Sequence, residues 1–167
     1  MKTNDFTRDQ IIELAALIEQ RGAKLYTEAI KKTEHEAAAN ILRHLAEQEK
    51  EHEQVFQRLY DDIAQNRKVI PKDINDEAVG YLGSLVPRDV FPSADEDFIK
   101  KILTIDDAIK AGLKAEKDSI LFYTELSVYG WDSDTQRILR GITSEERKHL
   151  VQLQELQSLI DERGVYY

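Results

Sequence analysis

Residues Leu42 to Ile63 read LRHLAEQEKEHEQVFQRLYDDI, and residues Leu139 to Ile160 read LRGITSEERKHLVQLQELQSLI. In the first stretch, Leu42, Leu45, Glu49, His52, Phe56, Leu59 and Ile63 recur at alternating steps of three and four. In the second, Leu139, Ile142, Glu146, His149, Leu153, Leu156 and Ile160 keep the same steps. That spacing is the core-facing stripe of a helix in a bundle. Each stripe is apolar except at its middle. There a glutamate and a histidine stand three residues apart, on one face and one turn from each other.

A second kind of stripe precedes each of these. Ile12, Ala15, Glu19, Gly22, Tyr26 and Ala29 form one; Ile109, Gly112, Glu116, Ser119, Tyr123 and Leu126 form the other. Each carries a single glutamate with small residues on either side, which leaves room at its level. The periodicity predicts helices over 7–32, 34–66, 105–129 and 133–163. Thr7-Arg-Asp-Gln10, Thr33-Glu-His-Glu36 and Ser133-Asp-Thr-Gln136 fit the Ser/Thr-x-x-Glu/Gln start signal, and Thr104-Ile-Asp-Asp107 is a weaker version. Gly130 and Gly164 are placed to follow helix ends.

Short connections make each pair an antiparallel hairpin, about 7–66 and 105–163. The 67–104 stretch between them holds all three prolines, Pro71, Pro87 and Pro92. It predicts a short helix near Asp76–Leu85 and a second helical start at Ser93-Ala-Asp-Glu96. A connection this long can cross from one end of a bundle to the other. The expectation is all-α: an antiparallel four-helix bundle of two hairpins, one domain across residues 1–167.

Shifting the chain by 97 residues superposes the two hairpins without a gap. Glu19 falls on Glu116, Tyr26-Thr27-Glu28 on Tyr123-Thr124-Glu125, Arg43 on Arg140, Glu49 on Glu146 and His52 on His149, alongside several Ile and Leu pairs. Leucines would match in any two amphipathic helices; the Glu, His and Tyr matches are specific. In each half the two glutamates are 30 residues apart and lie 15 residues on either side of the turn, near Glu34 and near Trp131. At the rise of an α-helix this puts all four roughly 22 Å from their own turns. Within each hairpin the two glutamates therefore face each other at one level.

Four carboxylates facing one another in a dry core cannot all stay ionised unaided. Burying each ion costs several kcal/mol, and like charges raise the pKa values further. Either they take up protons, or they recruit cations, or they are not in the core. Two divalent metals would balance four carboxylates, and two neutral imidazoles would complete the set. Glu19, Glu49, His52, Glu116, Glu146 and His149 match the ligand plan of dinuclear carboxylate bundles. Mixed Glu and His ligands suit iron or manganese, and ligand type does not separate these from zinc.

The composition removes other chemistries. Lys plus Arg number 23 against 32 for Asp plus Glu, a net charge of −9. So acidic a chain is unsuited to nucleic-acid backbones or anionic membranes. No cysteine is present, which excludes disulfides, zinc–cysteine sites, iron–sulfur clusters and thiol catalysis. No apolar run approaches a membrane span, and the N-terminus lacks the apolar core of a signal peptide, so the expected location is cytoplasmic.

On these motifs the chain resembles the ferritin-like superfamily, and most of all the di-iron domain of rubrerythrins. The resemblance covers both hairpins. It implies that Glu49 and Glu146 bridge two iron ions, that Glu19 and Glu116 are terminal ligands, and that His52 and His149 serve one metal each. It implies an oxidoreductase that reacts with O2 or hydrogen peroxide, in a homodimer. Rubrerythrins proper feed electrons through a four-cysteine rubredoxin domain; with no cysteine here, the reductant is expected to be a separate protein or small molecule. Rubrerythrins also carry an extra glutamate, linked to peroxide reduction, where this chain has Leu113.

A ferritin-like iron store with an Fe(II)-oxidising site is the alternative, and a metal-free helical scaffold the third reading. Tyr26 and Tyr123, two turns from the glutamates, are expected to orient ligands by hydrogen bonds or to pack the core, rather than to carry redox chemistry. His35 and His44 read as surface residues. Glu47, Glu51, Glu53, Glu145 and Lys148 read as a solvated face, and Trp131 as a packing anchor.

Overall fold

The periodic stretches resolve into helices in the computed structural model, which describes residues 6–90 and 97–163. In chain order these are α1 (Gln10–Ile30), α2 (Glu36–Ala64), α3 (Asp76–Leu85), a 3-10 turn at Arg88–Val90, α4 (Ile105–Leu126) and α5 (Ser133–Arg163). A helical turn at 97–100 precedes α4. No strand occurs among the described residues. The chain is all-helical, as expected, and α3 falls where the sequence placed it. The helical start read at Ser93–Glu96, with Pro92, Gly164 and the Tyr166-Tyr167 tail, lies outside the described residues.

The helix ends differ in instructive ways. Thr104, the weaker start signal, makes the complete capping box: Thr104 Oγ1 accepts from Asp107 N at 3.1 Å, and Asp107 Oδ2 accepts from Thr104 N at 3.0 Å. The expected box at Thr33 does not form. His35 caps α2 instead, its Nδ1 accepting from Ala38 N at 3.3 Å, while Thr33 Oγ1 accepts from His35 N. Asp132 rather than Ser133 caps α5, its Oδ1 accepting from Asp134 N and Thr135 N. At Thr7 only the reciprocal half appears, Thr7 N donating to Gln10 Oε1 at 2.8 Å. Gly130 lies four residues beyond α4 and donates its N–H to Asp73. The left-handed residue after a helix is Asn66 at φ 57°, closing α2. There Arg67 N donates to Asp62 O and Asn66 N to Ile63 O, the Schellman pattern.

The core forms two apolar clusters. One gathers Ile11, Ile12, Phe56, Leu59, Phe122, Leu126 and Leu139. The other gathers Leu25, Leu42, Leu45, Ile109, Leu153, Leu156 and Ile160. Each long helix contributes to both. The residues that interrupt the apolar sequence in each helix are Glu19, Glu49 with His52, Glu116, and Glu146 with His149, so these lie on the layer between the clusters. The crossover seals the first cluster with Ile70, Ile74, Val79, Leu82, Val86 and Val90. It is pinned there by Arg8, which donates to Pro71 O at 2.6 Å, and by Lys68, 2.9 Å from Asp132 Oδ1. Trp131 is buried and donates Nε1–H to Leu126 O at 3.0 Å, the anchor expected of it.

Candidate metal centre

Six residues with ionisable side chains share that layer, and none of these residues is more than 4% exposed. α1 supplies Glu19, α2 Glu49 and His52, α4 Glu116, α5 Glu146 and His149. Their ligand atoms converge in two groups: Glu19, Glu49, His52 and Glu146, and Glu49, Glu116, Glu146 and His149. Within each group the atoms lie within 4.8 Å of one another. Glu49 and Glu146 belong to both groups, while each histidine and each remaining glutamate belongs to one. The imidazoles stack with centroids 5.6 Å apart and planes 20° apart. His52 Nδ1 is 2.8 Å from Glu146 Oε1 and 3.4 Å from Glu19 Oε2. His149 Nδ1 is 2.9 Å from Glu49 Oε1 and 3.5 Å from Glu146 Oε2.

Proximity does not satisfy these atoms. Glu19 Oε2, Glu49 Oε1, both Glu146 oxygens and both histidine Nδ1 atoms are buried without an aligned hydrogen-bond partner. Buried polar atoms are nearly always satisfied, and leaving one unpaired costs about 1–3 kcal/mol. Six orphaned acceptors or ring nitrogens aimed into one layer fit a pair of divalent cations. Four carboxylates and two imidazoles supply the donor set and the compensating charge.

Without cations, protons take their place. Burial pushes the Glu49 carboxyl well above its usual range, and Glu146, Glu116 and Glu19 push it further. Burial and the Glu146 charge raise Glu116 to about 8. Burial alone would lower both histidines. The Glu146 and Glu19 carboxylates outweigh it at His52, raising that ring to about 11. Glu116 and Glu146 outweigh it at His149, raising it to about 9. Burial, with Glu116 at Tyr26 and Glu19 at Tyr123, lifts both phenols well above 10, so each remains a donor.

Contacts around the six cross between the halves of the chain. Tyr26 donates to Glu116 Oε1, and Tyr123 donates to Glu19 Oε1. Of the two roles expected for the tyrosines, the structure shows hydrogen bonding to the glutamates within the packed core. His52 Nε2 lies 2.6 Å from Glu145 Oε2, and His149 Nε2 lies 3.1 Å from Gln48 Oε1. This corrects the reading of Glu145 as part of the solvated face. The residue stands beside the stripe, where periodicity does not decide orientation, and its side chain is 44% exposed yet reaches the histidine. Gln48 likewise lies off the stripe, so periodicity does not mark it. The available signal was the 97-residue shift, which lays Gln48 on Glu145.

The small residues have defined work. A Cβ at Gly22 would meet Glu49 Oε2 at 3.0 Å, and one at Gly112 would meet the Tyr26 ring at 3.1 Å. Leu113 packs against the second apolar cluster. His44 is exposed and His35 half-buried at its cap, both away from the site.

No helix is long and apolar enough to cross a membrane among the described residues. No curated protein and no solved structure gives a significant match to the chain. The sequence model of the rubrerythrin family matches residues 10–157, which take in all six convergent side chains and both tyrosines. The chain belongs to the rubrerythrin family.

Proposed function

We propose that this chain is a di-iron oxidoreductase that reacts with O2 or hydrogen peroxide, built as one ferritin-like domain of two hairpins, 7–66 and 105–163, joined by the 67–104 crossover. The observation that carries the reading is the set of orphaned carboxylate and imidazole atoms in a layer with apolar clusters on both sides. Glu49 and Glu146, shared by both groups, would serve both ions. Glu19 with His52 would hold one ion, and Glu116 with His149 the other. Bound iron would supply two electrons per reacting oxidant, as two Fe(II) become two Fe(III), and an external donor would return them.

The chain's own residues set the conditions for that chemistry. Tyr123 and Tyr26 donate to Glu19 and Glu116, fixing which oxygen of each carboxylate stays free. Phe56 stacks on Tyr123 with centroids 5.0 Å apart, holding that hydroxyl in place and keeping water from its side of the layer. Iron is proposed on the family membership, since the donor set itself suits manganese or zinc as well. The protein is proposed to be cytoplasmic and homodimeric, with a separate reductant.

The test is elemental analysis and Fe(II) oxidation on protein reloaded anaerobically. About two iron atoms per chain are expected from the shared ligand plan, with oxidation lost in Glu49→Ala and Glu146→Ala. Full iron content and full oxidation rate in both variants would overturn the assignment. Light scattering separates the proposed dimer from a closed storage shell.

A further inference from the structure

The two metal positions are matched residue for residue by the 97-residue shift, and so are the tyrosines that serve them. The partners of the outward histidine nitrogens are matched in position but not in chemistry. His52 Nε2 meets a carboxylate, Glu145 Oε2, at 2.6 Å; His149 Nε2 meets a carboxamide, Gln48 Oε1, at 3.1 Å. Both rings present Nδ1 to the layer and Nε2 to these partners, so Nε2 carries the proton whenever Nδ1 is a ligand. A charged acceptor on that N–H makes the shorter and stronger hydrogen bond and raises the basicity of the opposite nitrogen; a neutral amide does so less.

The geometry points to a graded pair of metal positions. Glu145 makes His52 the stronger ligand, so the Glu19–His52 position holds a divalent cation more tightly than the Glu116–His149 position and fills first. Glu145 and Gln48 are positioning residues here, each acting through its histidine. This inference rests on the dinuclear reading above and assigns an order within it.

The test uses Co(II) alone as probe, with binding followed by titration calorimetry and by the ligand-field absorption of cobalt. Glu19 belongs only to the first group and Glu116 only to the second, so Glu116→Ala isolates the His52 position and Glu19→Ala the His149 position. Circular dichroism verifies that each variant is helical. Cobalt is expected to bind about tenfold or more tightly in Glu116→Ala than in Glu19→Ala, the scale of ligand-orienting partners.

Glu145→Gln keeps an acceptor of the same shape and removes its charge. It is expected to weaken binding about tenfold in the Glu116→Ala background and to leave the Glu19→Ala background unchanged. Gln48→Glu should strengthen binding only in the Glu19→Ala background. A general loss of structure would not produce opposite changes confined to opposite positions. Cobalt binding in both backgrounds with equal affinity, or with no response to Glu145→Gln, would overturn the grading and leave the dinuclear reading intact. Absence of cobalt binding to the unmodified protein would overturn both.

Discussion

A methyl group at Gly22 would sit 3.0 Å from Glu49 Oε2 and 3.2 Å from its Cδ. Glu49 is enclosed and its carboxyl group belongs to both ligand groups, so it cannot swing aside without leaving one of them. Gly22→Ala is therefore expected to lower divalent-metal affinity about tenfold, read by cobalt titration. Gly141, inside α5, is the contrast: nothing lies within 4 Å of a Cβ built there. Gly141→Ala is expected to raise stability by about 0.5–1 kcal/mol in denaturant unfolding, with metal uptake unchanged. At this scale the six convergent side chains were legible, because ligand chemistry and a 3.6-residue period act on the same positions. Glu145 and Gln48 were not. Each stands one position before a glutamate shared by both ligand groups, at the margin of the buried stripe, where only the packed neighbour decides whether a long side chain turns inward.

The helix starts show how local chemistry is overruled by local geometry. Thr104 and Asp107 satisfy each other's backbone N–H groups, although aspartate is the shorter partner for this role. At Thr33 the chain places His35 at the cap position, and the threonine turns to the His35 N–H instead. Thr104→Ala is accordingly expected to cost about 1 kcal/mol. Thr33→Ala should cost less than about 0.5 kcal/mol. Thermal unfolding of the two variants side by side measures the difference. The number, order and approximate extent of the long helices could be read from periodicity, and α3 from its flanking breakers. The Thr104 cap could be read as well; those of α2 and α5 could not, because Thr33 and His35, and Asp132 and Ser133, stand close enough to compete for the same N–H groups and only backbone dihedrals choose between them.

Across the molecule, the carboxylate–histidine layer is held in register by apolar clusters on either side, and its charge state couples cation binding, protons and stability. The raised values at Glu116, about 8, and His149, about 9, mean that the metal-free fold binds protons more tightly than the unfolded chain, whose groups titrate near 4.5 and 6.5. The unfolded state therefore holds fewer protons as pH rises through these windows, and stability of the metal-free protein falls between about pH 4.5 and 9. Cations displace the same protons, so metal affinity should rise over pH 7 to 9, by about tenfold per pH unit for each proton released. Calorimetric titrations in buffers of different ionisation enthalpy count those protons directly. A flat affinity across this range would show that the buried carboxyls and imidazoles are not protonated in the metal-free fold.

Tyr26 reaches Glu116 as Tyr123 reaches Glu19, and His52 reaches residue 145 as His149 reaches residue 48. Every one of these contacts is returned by its counterpart in the other half, which is the rule of a two-fold, self-complementary interface. Two identical subunits meeting in this way would be bound to that rule: whatever residue served one histidine would serve the other. Carrying both halves in one chain releases it. Glutamate can stand at one position and glutamine at its mate, so a pseudo-symmetric molecule can hold two unequal sites in a way that a symmetric pair of identical chains cannot.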